Sequence, residues 1–595
     1  MQQKRLILAL ILSSAILFLW TYLYPIKPPQ SNQTKPGPSA TATPASQETS
    51  STIPGGQPAV QQTTSPQSTA PQRTVTVRTP LYEVKFDSRG AEPTSWIIKQ
   101  NKSSERKIFS VAGTKKNPVD LQLISPEGLN RQPRAVPLQL RTGDTALDGV
   151  LSSSTYKLEG VEGAGDIDLN LAAGEKKEIT FILEDAGKVM VRKSLVFDAD
   201  RYDANLSVLV KRADEVIPKV KITIGPSIGD QGVSHHTFYS VAPEAIAFVG
   251  GKIERHPAAS INSNKNSPDR LVLTGPLDWA GVGDTYFAMV AIPDQPTEGL
   301  EYQTIAYEHQ GNGKPEKRYL TTAYVPIASD GGHTVVYAGP KDHYLLTEAS
   351  RQISQFVHRP VDLEGLIDYG WLSWLSRPLA VPILKCITFL YKLSSSYGVA
   401  IILFTILVYS LFFPLKWRSS KAMKKAQKLA PKMKELQEKI KGMKQSDPRL
   451  KELQVEQLRL MKEGNPLGGC LPLLIQMPFL FALYRAITIS LDFRQATFLW
   501  LPDLSSGDPY HILEILMAGT MIVLQLITPA PSADPVQRKM MAIGMPVFML
   551  YVLWGAPSGL LLYWLVGNIV GFTQQFLINR WTMSDDDGPT PLGSK

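Results

Sequence analysis

Asn465-Pro-Leu-Gly-Gly-Cys-Leu-Pro-Leu-Leu-Ile-Gln-Met-Pro-Phe-Leu-Phe-Ala-Leu-Tyr-Arg-Ala-Ile-Thr-Ile489 is the stretch whose reading decides the architecture. It is a long apolar run that holds one amide, Gln476, and two prolines, Pro472 and Pro478. A soluble core helix rarely tolerates such prolines. A membrane helix does, because neighbouring helices re-satisfy the freed backbone groups. An amide in hydrocarbon is costly unless it faces protein or water. The run therefore belongs to a bundle with something polar inside it.

Working outward, Asp492–Tyr510 carries one Arg and three Asp, as an outside loop can. Ile512–Ile527 is the next membrane helix, with Glu514 near its outer end, and a Pro-rich connection to Lys539 follows. Met540–Trp554 and Leu560–Ile578 are two more helices, joined by a turn at Gly555-Ala-Pro-Ser-Gly559 too short for anything but a hairpin.

Upstream, Lys416–Gly464 holds fifteen Lys/Arg and six Asp/Glu, a net of +9, which equals the net charge of the whole chain. Met433, Leu436, Ile440 and Met443 keep a helical 3-4-3 spacing, and Leu450, Leu453 and Leu460 resume it after Asp447-Pro448. This predicts a basic helical hairpin on the cytoplasmic side. It has two readings: a solvated face near anionic lipid, or a docking surface. Tyr397–Leu415 is the membrane helix before it. Further upstream, Ile383, Ile387, Leu390 and Leu393 form one stripe, as in an amphipathic helix lying in the interface or one packed under the preceding domain.

Residues 74–344 change character. Tyr82, Val84 and Phe86 alternate with polar residues, as do Ala204, Leu206, Val208 and Val210, and Gly, Pro, Asn and Asp break the runs. Period-2 patterning over this length predicts one large sandwich-like β domain of antiparallel strands. Seven histidines lie between His235 and His358, with no metal-ligand spacing. Residues 25–73 are Pro, Ser, Thr and Gln-rich, a tether with too few large apolar residues to fold. Leu6–Leu23 is an apolar run ending in Trp20, Tyr22 and Tyr24 without a small-residue cleavage site, an uncleaved anchor. Lys4 and Arg5 place its start in the cytoplasm.

The chain thus reads as a multi-pass α-helical membrane protein with six transmembrane helices and a large all-β domain outside. The predicted segments are the anchor 1–24, linker 25–73, β domain 74–358, interfacial helix 359–396, second span 397–415, basic hairpin 416–464, spans three to six in 465–580, and cytoplasmic tail 581–595. Cys386 and Cys470 fall on opposite sides of the membrane and read as small apolar residues.

In the sixth helix Asn568, Gly571 and Gln575 stay within about 40° of Trp564 around the axis. Thr405 and Tyr409 share a face of the second helix. With Gln476, and Gln525 as a further candidate, these uncharged polar stripes either bond helix to helix or line a wet groove that takes a polar segment of another chain. Arg485 stands about 180° from Gln476 and is predicted to snorkel to the outer interface. The P-loop pattern G-x-x-x-x-G-K-[ST] is absent. A transporter predicts paired intramembrane charges or inverted repeats, and neither is present. An enzyme centred on the β domain needs converging carboxylates or a His cluster that the sequence does not display.

Asn465-Pro-Leu-Gly-Gly-Cys-Leu-Pro-Leu-Leu-Ile-Gln-Met-Pro478, with Asp368-Tyr-Gly-Trp371, Arg494-Gln-Ala496, Pro557-Ser-Gly-Leu560 and Gln574-Gln575, resembles the bacterial YidC/Oxa/Alb family of membrane protein insertases in its Gram-negative form. The resemblance runs end to end and is closest over residues 365–580. It implies a β-supersandwich in the periplasm, a five-helix insertase core in the inner membrane with both termini cytoplasmic, and a hydrophilic groove open to cytoplasm and lipid. The implied activity is insertion and chaperoning of nascent integral membrane proteins, alone or with the Sec translocon and its accessory subunits, without covalent chemistry or cofactor. Thr405, Tyr409, Gln476, Trp564, Asn568 and Gln575 would line the groove. Lys421, Lys424, Lys425, Lys428, Lys432 and Lys434 would dock the signal-recognition machinery, Sec translocon or ribosome, in contact with membrane lipid. Such proteins carry a basic groove residue five positions before the Pro of the second span. Here that Pro is Pro414 and the residue is Tyr409, with Lys416 and Arg418 at the mouth.

Overall fold

The computed structural model describes residues 71–160, 165–185, 189–233, 242–263, 267–311, 314–370, 373–441, 443, 448–464, 467–528 and 539–584. The predicted N-terminal anchor, most of the linker, the His235-His236 pair, Trp371, Asn465, the side chain of Cys470 and the tail from residue 585 lie outside them. Residues 431–463 group into a compact unit distinct from the one formed by 65–430 and 464–595.

Residues 74–340 form three main sheets of five, ten and five strands. The predicted alternation is what builds them. In Tyr82–Asp87 the residues Tyr82, Val84 and Phe86 are buried while the intervening ones face outward. In Asp203–Arg212 the same holds for Ala204, Leu206, Val208 and Val210. The centre of the ten-stranded sheet is the antiparallel run Phe287–Pro293, Asp330–Pro340, Asp203–Arg212 and Val189–Asp198. Phe287–Pro293 is buried at every residue, so alternation fails there: the strand Lys314–Ile327 of another sheet packs on it. One pair departs from the antiparallel expectation, since Thr74–Arg78 runs parallel to Ile167–Asn170. A long connection between the two makes this geometry available. Trp279 and Tyr302 are fully buried and keep their polar atoms bonded, to the Asp362 carbonyl at 2.9 Å and the Ile246 carbonyl at 2.8 Å. Each such ring removed from water contributes roughly 1.5–3 kcal/mol.

Helix α1 (His343–Phe356), N-capped by Asp342, leads out of the sheets. Helix α2 is Ser373–Ser394, α3 is Tyr397–Lys441, α4 is Arg449–Gly464 and α5 is Leu467–Ile489. Helix α6 is Ile512–Ile527, α7 is Met545–Val552, preceded by a π-helical turn at Met540–Gly544, and α8 is Ser558–Ser584. Among the described residues, α3 and α8 are long and apolar enough to cross a membrane, and Ile512–Ile527 and Met540–Val552 are shorter apolar helices.

Two expectations are corrected. The second span and the start of the basic hairpin are one continuous helix, α3, rather than separate elements meeting at residue 416. Strong helix formers follow Pro414, and no glycine interrupts them. On α2 the buried stripe is Ser376, Ala380, Ile383 and Ile387, against α5. Leu393 is exposed, as are Phe389 and Trp374 on the same helix. In the unit 431–463, Leu436 is buried whereas Lys432 and Lys434 are exposed. Val455 and Leu458 on α4 face outward.

Candidate functional site

Helices α3, α5 and α8 bring Tyr409, Gln476 and Gln574 to one place. The Gln476 Nε2 donates to the Tyr409 hydroxyl at 3.1 Å. The Gln574 Nε2 donates to the Tyr409 backbone carbonyl at 3.0 Å. Two turns further along α3, Lys416 Nζ donates to the Gly571 carbonyl at 2.7 Å. Between these groups lies a cavity of about 50 Å³, lined by Tyr409, Lys416, Gln476 and Gln574 with the apolar Val408, Phe412 and Leu415. That volume holds a water or a few. Among the described residues the buried Gln574 Oε1 has no donor. A buried acceptor left so costs about 1–3 kcal/mol.

Glycine makes this approach possible. A Cβ on Gly567 would lie 2.4 Å from the Tyr409 hydroxyl, and one on Gly571 would lie 3.3 Å from Lys416 Nζ. The Tyr409 ring therefore lies against bare backbone of α8, with the Tyr563 ring 6.2 Å away.

The residues singled out in the sequence divide into two groups. Tyr409 and Gln476 meet at the cavity. Thr405 is fully buried and bonds back to the Ile401 carbonyl at 2.7 Å. Asn568 Nδ2 turns toward α6, reaching the Met517 carbonyl at 3.2 Å and Thr520 Oγ1 at 3.0 Å. Gln575 Nε2 donates to Ser420 Oγ at 3.1 Å and Asn579 Oδ1 at 3.0 Å. Trp564 is half-buried against the apolar core. The face of α8 at the cavity is Tyr563, Gly567 and Gln574, about 100° around from the Trp564 face. Gln574 and Lys416 line the cavity without belonging to the predicted stripe, and Gly567 is the backbone against which the Tyr409 hydroxyl lies. Gln574 and Lys416 were legible as polar groups near the predicted span, but only the helix rotation selects them.

Arg485 faces away from the cavity. It pairs with Asp368 at 3.6 Å and lies over the Tyr484 ring at 5.6 Å. Gly370 has φ +81°, and a Cβ there would lie 2.6 Å from the guanidinium. The Asp368-Tyr-Gly segment thus docks the start of α2 onto α5. At the other end of the bundle Lys421 lies over the Trp417 ring at 5.3 Å, and Trp417 meets Trp581 at 5.4 Å. Lys421, Lys425 and Lys428 are exposed and Lys424 is half-exposed. Among the described residues no cluster of His, Cys, Asp or Glu could hold a metal.

A bundle of apolar helices that encloses a small cavity with four polar side chains among apolar ones, joined to a large β domain, is the architecture that the described residues define. Residues 74–382 match the family model described as YidC periplasmic domain, and residues 389–586 that described as 60Kd inner membrane protein. A membrane protein insertase YidC of Syntrophus aciditrophicus is 31% identical, over 97% of this chain and 99% of the relative. One of Nitratidesulfovibrio vulgaris is 32% identical, over 98% and 100%. A solved structure described as an active YidC insertase with its first transmembrane domain resolved aligns over 85% of this chain and 94% of that one. Its identity is 17% and its TM-score 0.31, too low to bear on the fold. The chain belongs to the YidC family of membrane protein insertases. It is an inner-membrane protein with a β-rich periplasmic domain, and an insertase rather than an enzyme.

Proposed function

We propose that this chain inserts integral membrane proteins by sheltering their polar segments at the cavity between α3, α5 and α8, in a bundle of five spans preceded by an N-terminal anchor. Both termini lie in the cytoplasm in this reading. A nascent chain's polar terminus or loop must cross hydrocarbon, where each unsatisfied backbone group costs several kcal/mol. Polar groups and water part-way across lower that barrier. The client's apolar segment then leaves sideways into lipid, driven by burial of its own surface. No bond is made or broken.

The observation that carries this reading is the cavity, onto which Gln476, Tyr409, Gln574 and Lys416 converge from three helices. Lys416 is the cationic side chain of that lining, two turns from where the family resemblance places one. Asn568 and Gln575 bond across to neighbouring helices and hold them in register, whereas Thr405 bonds back within its own helix. The lysines Lys421, Lys424, Lys425, Lys428, Lys432 and Lys434 are the docking residues for the Sec translocon, the signal-recognition machinery or the ribosome.

Photocrosslinkers at positions 476, 574 and 564, against a stalled membrane-protein nascent chain, test the reading. Crosslinks from 476 and 574 that exceed those from 564 are expected. Equal yields at all three positions, or none from 476 and 574, would overturn it.

A further inference from the structure

The outer end of α6 holds an acidic side chain that the cavity does not use. Glu514, in the first turn of α6, is 0% exposed. Its Oε1 accepts from Gly555 N at 3.3 Å, in the turn between α7 and α8, and lies 3.2 Å from His511 Nδ1. Its Oε2 is buried and has no partner among the described residues. A buried carboxylate so placed needs a proton on it or a cation beside it, because a lone buried charge is costly. His511 is the neighbour that can supply either. It stands just before α6 at φ +55°, a conformation that strains a residue bearing a Cβ, and its side chain caps no backbone N–H of the helix. Instead the imidazole stacks on the Trp554 ring, with centroids 4.2 Å apart and planes 20° from parallel. It is 38% exposed. The ring therefore touches the α7–α8 turn, touches Glu514, and still exchanges protons with solvent.

The elements packed around the pair bring few other charges. Residues 552–562, the α7–α8 turn and the start of α8, carry no ionisable side chain, and Glu514 is the one acid of α6. In the loop before α6, Asp508 accepts from Leu513 N at 2.8 Å, Tyr510 N at 3.0 Å and Trp500 Nε1 at 3.2 Å. Asp503 accepts from Ser505 N at 2.7 Å, and Arg494 pairs with Asp230. Helix α7 is what the pair restrains. It packs on α6 and on the π-helical turn Met540–Gly544. Pro546 is its buried residue, whereas Val547, Phe548 and Tyr551 are exposed. A π-helical turn breaks the regular i→i−4 ladder and is a place where a helix bends. So α7 has a hinge at its inner end and is fastened at its outer end through Trp554 and Gly555.

We propose that His511 and Glu514 form a proton-controlled latch that fastens the outer end of α7 to α6. With one proton on the pair, the carboxylate is either neutral or faces an imidazolium, and the turn stays closed. When that proton leaves to solvent, Glu514 carries an uncompensated charge. It regains water only as the turn lifts and α7 swings on its hinge. None of the latch residues lines the cavity between α3, α5 and α8.

The test uses the full-length chain in proteoliposomes, with Cys386→Ala and Cys470→Ala and spin labels at the exposed positions Tyr551 on α7 and Thr573 on α8. The distance distribution is followed from about pH 5 to about pH 9 without a client. The latch predicts a narrow distribution in acid that broadens and shifts in base, with a midpoint in the histidine range of about pH 5–8. Glu514→Gln keeps an acceptor for Gly555 N and has no charge to expose, so its distribution stays narrow throughout. His511→Gln removes the cation and leaves the acid, and moves the midpoint down by about one pH unit or more. A merely structural contact would loosen alike in both variants and show no midpoint. Glu514→Gln changes the shape of the side chain little, so the test stands even where His511→Gln does not fold. A wild type that ignores pH, a transition retained in Glu514→Gln, or a midpoint unmoved or raised in His511→Gln would each overturn the latch.

Discussion

Gly567 shows how much a single missing side chain decides. Its absent Cβ leaves the space that the Tyr409 hydroxyl occupies. Gly567→Val is expected to push that ring aside, destabilise the bundle by about 1–3 kcal/mol through overpacking, and lower insertion yield in proteoliposomes below that of Gly567→Ala. Lys193 sets a second test at the same scale. It is fully buried in the β domain and donates to the Ala91 carbonyl at 2.6 Å and the Leu138 carbonyl at 2.8 Å. Burial pulls its amine down to about 8, with Glu92 opposing the shift. Between that value and the ordinary one near 10.5 the unfolded chain holds a proton that the folded chain has lost. The contribution of Lys193 to stability therefore rises with pH across that window, by up to about 3 kcal/mol. Thermal unfolding of the wild type relative to Lys193→Met should show this rise between pH 8 and 10. A flat difference would contradict it.

At the scale of elements, α2 owes its place to Asp368-Tyr-Gly rather than to its own apolar stripe alone. The Arg485–Asp368 pair is partly exposed, at 18% and 33%, so losing it in Arg485→Leu costs only about 1 kcal/mol. Gly370→Ala strains a positive φ and meets the guanidinium, and costs more, about 1–3 kcal/mol. Melting temperatures should rank the two in that order. The basic segment is tested separately. Removing residues 421–462 should abolish insertion while the protein remains in the membrane fraction, and full activity of such a variant would refute a docking role. Strand alternation and the apolar runs were legible from the sequence because each depends on neighbours two to four residues apart. The boundary drawn at residue 416 was not, because charge marks where lipid ends and not where a helix ends.

For the whole molecule, the described contacts join the β domain to the bundle through a buried ion pair and several hydrogen bonds. Breaking one side of a buried pair costs about 3–5 kcal/mol. Calorimetry of the intact chain should give one coupled transition for sheets and bundle. Arg494→Gln should separate it into two, and two transitions already present in the wild type would argue against coupling.

Local pattern alone determined the class of this protein: a β domain from period-2 runs, apolar helices from apolar length, a basic segment from charge, and a family from Asn465-Pro-Leu-Gly-Gly-Cys-Leu-Pro-Leu-Leu-Ile-Gln-Met-Pro478. Only the tertiary structure decided which polar groups share a cavity. An error of one residue in helix rotation is about 100°, enough to exchange Asn568 and Trp564 for Gly567 and Tyr563. It alone also brought Arg494 to Asp230, 264 residues apart in the chain. Such a pairing has no local signature, because the free energy that selects it comes from burying two charges together and not from either segment alone.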